Sequence, residues 1–305
     1  MTVVEHFKNF DILLEESLSK HTSFRVGGPA EIFAMPKNIQ EFTEIFILCK
    51  RLGIPSTILG DGSNVLVADV GLRGAVITTK KMNNIEILDN YCIKASAGVK
   101  LSKVAEIACK ANLAGFEFAS GIPGTVGGAI YMNAGAYDHD VGEFCKEVSL
   151  FSYKDENIII KSGADMDFGY RKSYVQQGQP NDNLLVLDAT FQLRQGEEQD
   201  IREKMKELNN RRKQSQPLDF PSAGSTFKRP PGFFAGKLIQ DSGLKGMSIG
   251  GAQVSEKHAG FIINKGNASA QDIFDLIHNV RTQVHANFDI WLTPEVKILG
   301  FEIDS

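Results

Sequence analysis

Two glycine-rich turns are the clearest chemical feature of this 305-residue sequence. The first is Gly60-Asp61-Gly62-Ser63-Asn64, and the second lies within the small-residue stretch 121–129. Glycine lets the backbone approach a phosphate closely and leaves amide N–H groups available to an anion. A helix beginning near Gly127-Gly128 adds a dipole that favours pyrophosphate. Either turn alone is also explained by a tight loop, but the pair favours one extended diphosphate ligand.

Neither turn matches the common nucleotide-binding fingerprints. The first lacks the third glycine of the Rossmann G-x-G-x-x-G pattern, and neither carries the Gly-Lys-Ser/Thr of a P-loop. The sequence therefore indicates a diphosphate site of another architecture.

Three later residue pairs contain polar side chains: Tyr170-Arg171, Gly224-Ser225 and Pro294-Glu295. Taken alone, each polar residue has an ordinary structural explanation. Arg171 fits a surface ion pair, Ser225 a turn, and Glu295 a solvated strand start.

The bulk composition is that of a globular protein, with 42% hydrophobic and 23% charged residues. The net charge of −4 argues against binding nucleic acid or an anionic membrane through bulk charge. We find no signal-peptide pattern and no run near the roughly 20 apolar residues that a membrane helix needs. These features predict a cytoplasmic enzyme.

The cysteines and histidines do not form a metal-binding pattern. The cysteines are far apart in the sequence and include no Cys-x-x-Cys pair, which indicates buried small side chains in a reducing compartment. The spacing of His139, His278 and His285 does not suggest metal ligands, so we predict no catalytic metal. The four cysteines are Cys49, Cys92, Cys109 and Cys145.

Helices and strands alternate around the two turns. Asn38 with Glu41 predicts a capped helix that Gly53 ends, and strands are predicted at 55–59 and 65–67, on either side of the first turn. A helix at 101–112 precedes the second turn, and apolar runs between 148 and 193 predict an antiparallel or mixed sheet.

The last third of the chain begins after a charged helix at 197–214. The Pro/Ser/Gly segment 217–224 indicates a domain boundary. Ser269 with Asp272 predicts a second capped helix, which leads to a terminal strand at 296–303.

The ordered motifs resemble the UDP-N-acetylenolpyruvoylglucosamine reductase family, within the vanillyl-alcohol-oxidase-like flavoproteins. Segments 60–67 and 121–129 are similar to the two FAD-binding segments of that superfamily. Segment 22–30 is similar to the family's N-terminal signature. Segments 168–173, 223–230 and 292–297 are similar to its three catalytic segments. The resemblance covers nearly the whole chain.

The resemblance implies an α+β fold with two α/β FAD-binding subdomains of the PCMH type, at 1–80 and at 81–213 with the linker helix. A C-terminal α+β substrate-binding domain would follow at 214–305. The implied activity is the NADPH-dependent, FAD-mediated reduction of UDP-N-acetylglucosamine enolpyruvate to UDP-N-acetylmuramate in peptidoglycan biosynthesis. No nucleic acid, membrane or obligate protein partner is expected.

The resemblance also assigns roles. Arg171 would bind the enolpyruvyl carboxylate, Ser225 would donate the proton, and Glu295 would be the catalytic glutamate. The implied contacts to the FAD pyrophosphate and ribityl chain are Gly60, Asp61, Gly62, Ser63, Asn64, Pro123, Gly124, Thr125, Gly127, Gly128 and Ala129. The implied substrate contacts are Tyr170, Arg171, Arg212, Lys228, Arg229 and His258.

Two of these substrate contacts keep an alternative explanation. Arg212, in the basic run 211–213, also fits a cation that complements a helix C-terminus. His258 also fits a structural histidine.

One departure concerns what closes the site. Segment 173–194 lacks the insertion that carries a closing tyrosine in longer relatives, so the chain resembles the compact subtype of the family, and Tyr174 is not expected to take that role. The resemblance implies Arg229 as a partial substitute. Two rivals stay open: a flavin oxidase on the same scaffold, and a non-catalytic module that binds a flavin or a sugar nucleotide.

Overall fold

The computed structural model describes residues 3–176 and 184–301 of the chain. Residues 177–183, part of the short segment discussed above, and the end of the predicted terminal strand lie outside the described residues. The α-helices are α1 (Ile39–Leu52), α2 (Leu101–Lys110), α3 (Val126–Met132), α4 (Val141–Phe144), α5 (Glu198–Ser215), α6 (Ala235–Asp241) and α7 (Ala270–Phe288).

Short strands connect these helices. They are β1 (Ile12–Ser17), β2 (Pro29–Ala34), β3 (Ser56–Leu59), β4 (Val65–Val67), β5 (Leu72–Thr78), β6 (Ile85–Leu88), β7 (Cys92–Ser96), β8 (Leu113–Ala114), β9 (Gly135–Ala136), β10 (His139–Asp140), β11 (Cys145–Ser152), β12 (Asn157–Ser162), β13 (Leu184–Gln192), β14 (Arg194–Gln195), β15 (Ser248–Ile249), β16 (Ala252–Val254), β17 (Ile262–Asn264) and β18 (Lys297–Leu299). The 3-10 helices are Val3–Phe7, Leu18–His21, Glu117–Gly121, Ala164–Met166 and Tyr174–Gln176.

Both predicted helix caps are confirmed. The Asn38 side chain accepts a hydrogen bond from the Glu41 N–H, and Gly53 ends α1 in the left-handed region at φ 65°. At α7, Ser269 accepts from the Asp272 N–H and the Asp272 carboxylate accepts from the Ser269 N–H. This hydrogen bond from the Ser269 backbone, followed by one from Gly251, lowers the pKa of Asp272.

The chain divides into two compact units. Unit 1 comprises residues 1–13, 33–61 and 75–212, and unit 2 comprises 14–32, 62–74 and 213–305. The division differs from the predicted domain ranges because segments 14–32 and 62–74 group with the C-terminal residues. The predicted domains are defined by the ligand that each binds, and the compactness of the two units does not test ligand binding. The domain ranges therefore stay a prediction.

Unit 1 is built on a five-stranded sheet in the order β12-β11-β13-β7-β6. Its pairings are antiparallel, with β11 lying between β12 and β13. Helices α2 and α3 contribute Val104 and Ile130 to a core that also contains Ile93, Val148 and Phe191. The sequence predicted an antiparallel or mixed sheet for the region between 148 and 193, and the structure shows the antiparallel alternative.

Helix α1, strand β3 and residues 75–78 of β5, which pair in parallel with β3, also belong to unit 1. Phe46 of α1 meets the Phe151 ring edge to face, with 6.4 Å between the ring centroids. Strand β3 ends at Leu59, so the first glycine turn begins at the carboxyl end of a strand.

Unit 2 combines the sheet β15-β16-β17 with α6 and α7. Its core joins Ile273 and Ile277 of α7 to Phe24, Val26 and Leu66 from early parts of the chain. Strand β4, which follows the first glycine turn, pairs in parallel with β18. Elements distant in sequence thus share one core, and the fold class is α+β, as predicted.

The cysteines are buried, apart from Cys145, which is half-buried, and all four are free thiols. Burial raises the pKa of Cys49 to about 11 and that of Cys145 to about 12, so both stay protonated near neutral pH. Among the described residues, no helix is long and apolar enough to cross a membrane. Within the same residues, no group of three or more His, Cys, Asp or Glu side chains could hold a metal ion.

Candidate functional site

Gly60 and Thr125 bring the two glycine-rich segments together within unit 1. A Cβ on Gly60 would lie 2.4 Å from Thr125 Oγ1, so no larger residue fits at this position without a shift. Thr125 is 2% exposed. Its buried hydroxyl has no hydrogen-bond partner among the described residues, and burying a hydroxyl in that state costs about 1–3 kcal/mol. The contact therefore suits a ligand that supplies the missing partner.

In the second glycine-rich segment, some of the backbone N–H groups that were expected to bind a ligand form hydrogen bonds within the protein instead. Val126 donates its N–H to the Val99 carbonyl and Gly127 to the Ala97 carbonyl, each at 2.8 Å. Helix α3 begins at Val126 and has only seven residues. Its N-terminus is therefore less available to an anion than the sequence suggested. Gly128 is exposed, and the atom nearest to a Cβ there would be Thr125 Oγ1 at 3.8 Å.

A recess of about 200 Å³ lies beside these segments. Whole small-molecule pockets usually measure about 300–1,000 Å³, so this recess fits only part of a dinucleotide. The Asp61 carboxylate lies 3.6 Å from Lys80 Nζ and 3.9 Å from Lys100 Nζ. The recess is lined by Asp61, Lys100, Ser102, Ser120, Gly121, Ile122, Pro123 and Gly124.

The rest of the first turn, residues 62–64, belongs to unit 2 and contacts the N-terminal signature segment. Gly62 has φ 66°, and a Cβ on it would lie 2.0 Å from the His21 carbonyl oxygen. The Ser23 N–H donates to the Gly62 carbonyl at 3.0 Å. Glycine alone combines this positive φ with the absence of a Cβ that would collide with the His21 carbonyl, which explains the glycine at this position of the turn.

Asn64 links the turn to the segment that carries Glu295. Its Nδ2 donates to the Glu295 carbonyl at 3.1 Å. Its own carbonyl accepts from the Lys297 N–H at 3.0 Å. Both contacts extend the β4–β18 pairing, so this pairing sets the position of Glu295.

Ser225 and Glu295 lie on two short segments that pair with each other in unit 2. Phe227 and Pro294 form an antiparallel bridge, and the Glu295 N–H donates to the Thr226 carbonyl at 2.8 Å. Glu295 is therefore opposite Thr226, the residue next to Ser225. Glu295 is 8% exposed, whereas Ser225 is exposed. The structure thus pairs the segment that carries Ser225 with the segment that carries Glu295.

Thr226 anchors this pair to the core of unit 2. Its N–H donates to the Gly260 carbonyl at 2.8 Å, and its Oγ1 accepts from the Ile262 N–H at 3.0 Å. Lys228, on the same segment, is held by its N–H, which donates to the Thr293 carbonyl at 2.9 Å. The Arg229 guanidinium stacks over the Phe234 ring at 4.8 Å.

His258 lies beside the Thr226 anchor in the same unit. Its Nδ1 accepts from the Gly260 N–H at 3.1 Å, and its ring meets Phe261 edge to face at 4.9 Å. Burial lowers the pKa of His258, and Lys245 lowers it further. Because Nδ1 accepts a hydrogen bond, the neutral form of the ring carries its proton on Nε2, which can donate to a ligand.

Arg171 and Tyr170 lie in a tight turn of unit 1. Arg171 is in the left-handed region at φ 54°. Its guanidinium lies 5.2 Å from the centre of the Tyr170 ring, and Nη1 donates to the Asn133 carbonyl at 3.4 Å. The Asn133 side chain donates to the Gly169 carbonyl at 3.0 Å. Asn133 therefore holds both ends of the turn that presents Arg171.

Arg212 is half-buried near the end of α5, and burial lowers its pKa. Its Cδ would lie 3.3 Å from a Cβ on Gly121, which lines the recess of unit 1. Arg211, next to it, stacks over Tyr137 at 5.0 Å and lies 3.8 Å from Glu207. Of these two arginines, Arg212 is the one beside the recess.

The predicted site residues fall in both units. Unit 1 holds Gly60, Asp61, Pro123, Gly124, Thr125, Gly127, Gly128, Ala129, Tyr170, Arg171 and Arg212. Unit 2 holds Gly62, Ser63, Asn64, Ser225, Lys228, Arg229, His258 and Glu295.

Sequence reasoning missed four supporting residues: Lys80, Lys100, Asn133 and Thr226. Asn133 follows α3 and adopts φ 46°, a conformation that asparagine tolerates at helix ends. That position was a usable signal. The lysines and Thr226 gave none, because their roles depend on contacts with residues distant in sequence.

Comparisons with known proteins agree on one family. Residues 216–299 match the model described as UDP-N-acetylenolpyruvoylglucosamine reductase, C-terminal domain, and residues 30–159 match the model described as FAD binding domain. The UDP-N-acetylenolpyruvoylglucosamine reductase of Clostridium perfringens is 48% identical over 298 residues, covering 97% of this chain and 95% of that protein. That of Caldanaerobacter subterraneus subsp. tengcongensis is 47% identical over 296 residues, covering 97% and 96%.

A solved structure gives the same result. The crystal structure of UDP-N-acetylenolpyruvylglucosamine reductase from Thermus caldophilus has 31% sequence identity and a TM-score of 0.79, and it covers 95% of this chain and 99% of that chain. This chain therefore belongs to the UDP-N-acetylenolpyruvoylglucosamine reductase family.

Proposed function

We propose that this chain reduces UDP-N-acetylglucosamine enolpyruvate to UDP-N-acetylmuramate, with NADPH as reductant and FAD as hydride carrier. The pairing of segments 226–228 and 293–295 carries the proposal, because it puts the residue after Ser225 opposite Glu295. Near-full-length similarity to named reductases supports the same activity.

The residues around Thr125 fit FAD. Gly60 has no side chain to block the approach of a diphosphate, and the buried Thr125 hydroxyl has no hydrogen-bond partner among the described residues. When bound, the flavin supplies a two-electron carrier that accepts hydride from NADPH and delivers it to the substrate's methylene carbon. Because both reactants use one carrier in turn, we expect ping-pong kinetics.

Arg171 is the proposed anion clamp. Hydride addition leaves negative charge on the carbon beside the substrate's carboxylate, and a guanidinium stabilises such charge bidentately. The contacts to Asn133 and to the Tyr170 ring limit the rotation of the Arg171 side chain. Limiting that motion before the substrate binds reduces the entropy lost in the reaction.

Ser225 is the proposed proton donor to that carbon. A serine hydroxyl is a weak acid, so it suits a strongly basic carbanion and no weaker base. Glu295 is the proposed partner that holds a hydrogen-bond donor in place, and its burial strengthens its electrostatic effect. Lys228, Arg229, His258 and Arg212 are the proposed contacts of the sugar nucleotide.

We also propose that the functional domains run 1–80, 81–213 and 214–305, and that the enzyme works in the cytoplasm without an obligate protein partner. Segment 216–299, matched by the C-terminal family model, supports the last boundary.

An anaerobic absorbance experiment tests the function. NADPH should bleach the yellow band of the purified protein, and the enolpyruvyl sugar nucleotide should then restore it stoichiometrically. Ser225→Ala should bleach normally and recover slowly, whereas the control Ser222→Ala should behave as the natural protein does.

Other outcomes would contradict the proposal. Recovery only in air would favour the oxidase, and a yellow protein that NADPH does not bleach would favour the binding module. A protein that stays colourless with added FAD would remove the flavin from the proposal. If Ser225→Ala slowed both half-reactions equally, its role as proton donor would be wrong.

A further inference from the structure

We propose that Lys80 and Lys100 form an ammonium pair that binds the diphosphate of the FAD, with Asp61 holding both side chains in place before the cofactor arrives. This inference rests on the proposed FAD binding and adds two residues to it. The recess in unit 1, the charges around it and the backbone contacts of both lysines carry it.

Backbone contacts fix Lys100 to the second glycine segment. Lys100 and Thr125 form an antiparallel bridge, and the Leu101 N–H donates to the Gly124 carbonyl at 3.1 Å. Lys100 also precedes α2 directly, where its carbonyl accepts from the Val104 N–H at 3.1 Å. The start of its side chain therefore cannot move independently of Thr125.

Lys80 is fixed in a similar way to the first glycine segment. It follows Thr79, whose N–H donates to the Leu59 carbonyl at 3.1 Å, one residue before Gly60. Thr79 is 3% exposed, and its Oγ1 has no hydrogen-bond partner in the described part of the chain. Each lysine thus comes from a backbone position tied to a different glycine segment.

The two ammonium groups converge on one carboxylate without forming a close pair. Their distances to Asp61, 3.6 and 3.9 Å, exceed normal hydrogen-bond lengths. The cluster of one carboxylate and two ammonium groups has a net charge of +1, and the Asp61 side chain is only 22% exposed. A diphosphate offers more negative charge and more acceptor oxygens than the Asp61 carboxylate, so the ammonium groups form additional hydrogen bonds when it binds.

Binding titrations of the full-length protein, stripped of flavin, test the proposal. The ligands are FAD, ADP and riboflavin, followed by flavin fluorescence or calorimetry. We expect Lys100→Met to weaken FAD and ADP binding by about five- to thirtyfold, as removal of a charge-assisted hydrogen bond predicts. Riboflavin, which lacks the diphosphate, should bind within about twofold of the natural affinity, since it cannot form that hydrogen bond.

Further variants sharpen the result. Lys80→Met should show the same selectivity, and Lys100→Arg should regain most of the FAD affinity. In the double variant Lys80→Met/Lys100→Met, raising the salt concentration should weaken FAD binding less than it does in the natural protein. Lys103→Met is the matched control, because Lys103 is exposed on α2, three residues further along, and does not line the recess. It should bind FAD normally.

Three outcomes would overturn the inference while leaving the proposed function intact. The first is natural FAD affinity in both methionine variants of a protein that is yellow and turns over. The second is a higher KM for NADPH with unchanged FAD affinity, which would assign the lysines to the reductant. The third is equal weakening of FAD and riboflavin binding, because the lysines would then only support the local fold.

Discussion

Two buried threonines show a difference between two regions of the molecule. The glycine-segment region comprises residues 60–64 and 121–129, and the Ser225–Glu295 region comprises the paired segments 225–228 and 293–295 with the residues that contact them. Thr226 is fully buried, and its hydroxyl accepts from the Ile262 N–H. Thr125 is nearly as buried, yet its hydroxyl has no partner in residues 3–176 and 184–301. In the Ser225–Glu295 region the buried threonine hydroxyl is therefore hydrogen-bonded within the protein, which agrees with the proposed role of this region as a rigid support for Ser225. In the glycine-segment region, the Thr125 hydroxyl has no such partner and several glycines lie in close contact with neighbouring atoms, as expected for the proposed cofactor site.

The largest effect should follow from a side-chain change in the Ser225–Glu295 region. Glu295→Gln keeps the size of the residue and its backbone contacts, so the protein should fold normally. The second half-reaction should slow by about 10²- to 10⁴-fold, the usual range for a group of this kind. Stopped-flow reoxidation of the reduced enzyme by the substrate measures it.

The exposed Glu256→Gln is the control for Glu295→Gln, and its rates should stay natural. If Glu295→Gln instead unfolded the protein, Glu295 would be part of the scaffold, and the contrast between the regions would fail.

The next effect tests close backbone contact in the first glycine turn. Gly62 and Gly53 have almost the same φ, 66° and 65°. A Cβ would collide with the His21 carbonyl at Gly62, whereas at Gly53 it would meet no described atom within 4 Å. Gly62→Ala should therefore lower the free energy of unfolding by more than about 3 kcal/mol, and Gly53→Ala by about 1–2 kcal/mol. Denaturant unfolding measures both free energies. Equal losses in the two variants would mean that the close contact between Gly62 and the His21 carbonyl does not affect stability.

A smaller pair of effects tests the threonine comparison directly. Thr226→Val leaves the Ile262 N–H without its acceptor and should destabilise the flavin-free protein by about 1–3 kcal/mol. Thr125→Val removes an unpartnered hydroxyl, so the flavin-free protein should lose no stability or gain up to about 1 kcal/mol. Adding FAD should raise the melting temperature of Thr125→Val less than that of the natural protein. Similar losses in both flavin-free variants would contradict the comparison.

The smallest effect concerns His258, in the Ser225–Glu295 region. Burial lowers its pKa in the folded protein, so the unfolded chain binds more protons as the pH falls through about 6.5. His258 therefore favours folding above this pH, and that contribution is lost as the pH falls towards the folded pKa. The natural protein should lose more stability than His258→Asn between about pH 7.5 and 5.5, the interval around the reference pKa. Parallel pH profiles would show that His258 does not titrate with folding.

Local patterns were predictable from the sequence because their causes lie within a few residues. The caps of α1 and α7, the strand before the first glycine turn and the antiparallel strands of unit 1 all appear as expected. Helix α3, in contrast, begins one residue before the predicted Gly127-Gly128 start and uses its first amides to hold the loop. That difference could not be predicted, because the acceptors at Ala97 and Val99 belong to another part of the fold.

The sequence by itself determined the residue types: glycines where a side chain would collide, an arginine, a serine and a glutamate in ordered motifs. Only the tertiary structure decided which of them meet. The β4–β18 pairing joins Asn64 to Glu295, and the Phe227–Pro294 bridge puts Thr226 opposite Glu295. The convergence of Lys80 and Lys100 on Asp61 also depends on pairings between distant segments. Such pairings follow from burial of a shared core, and no local spacing in the chain encodes them.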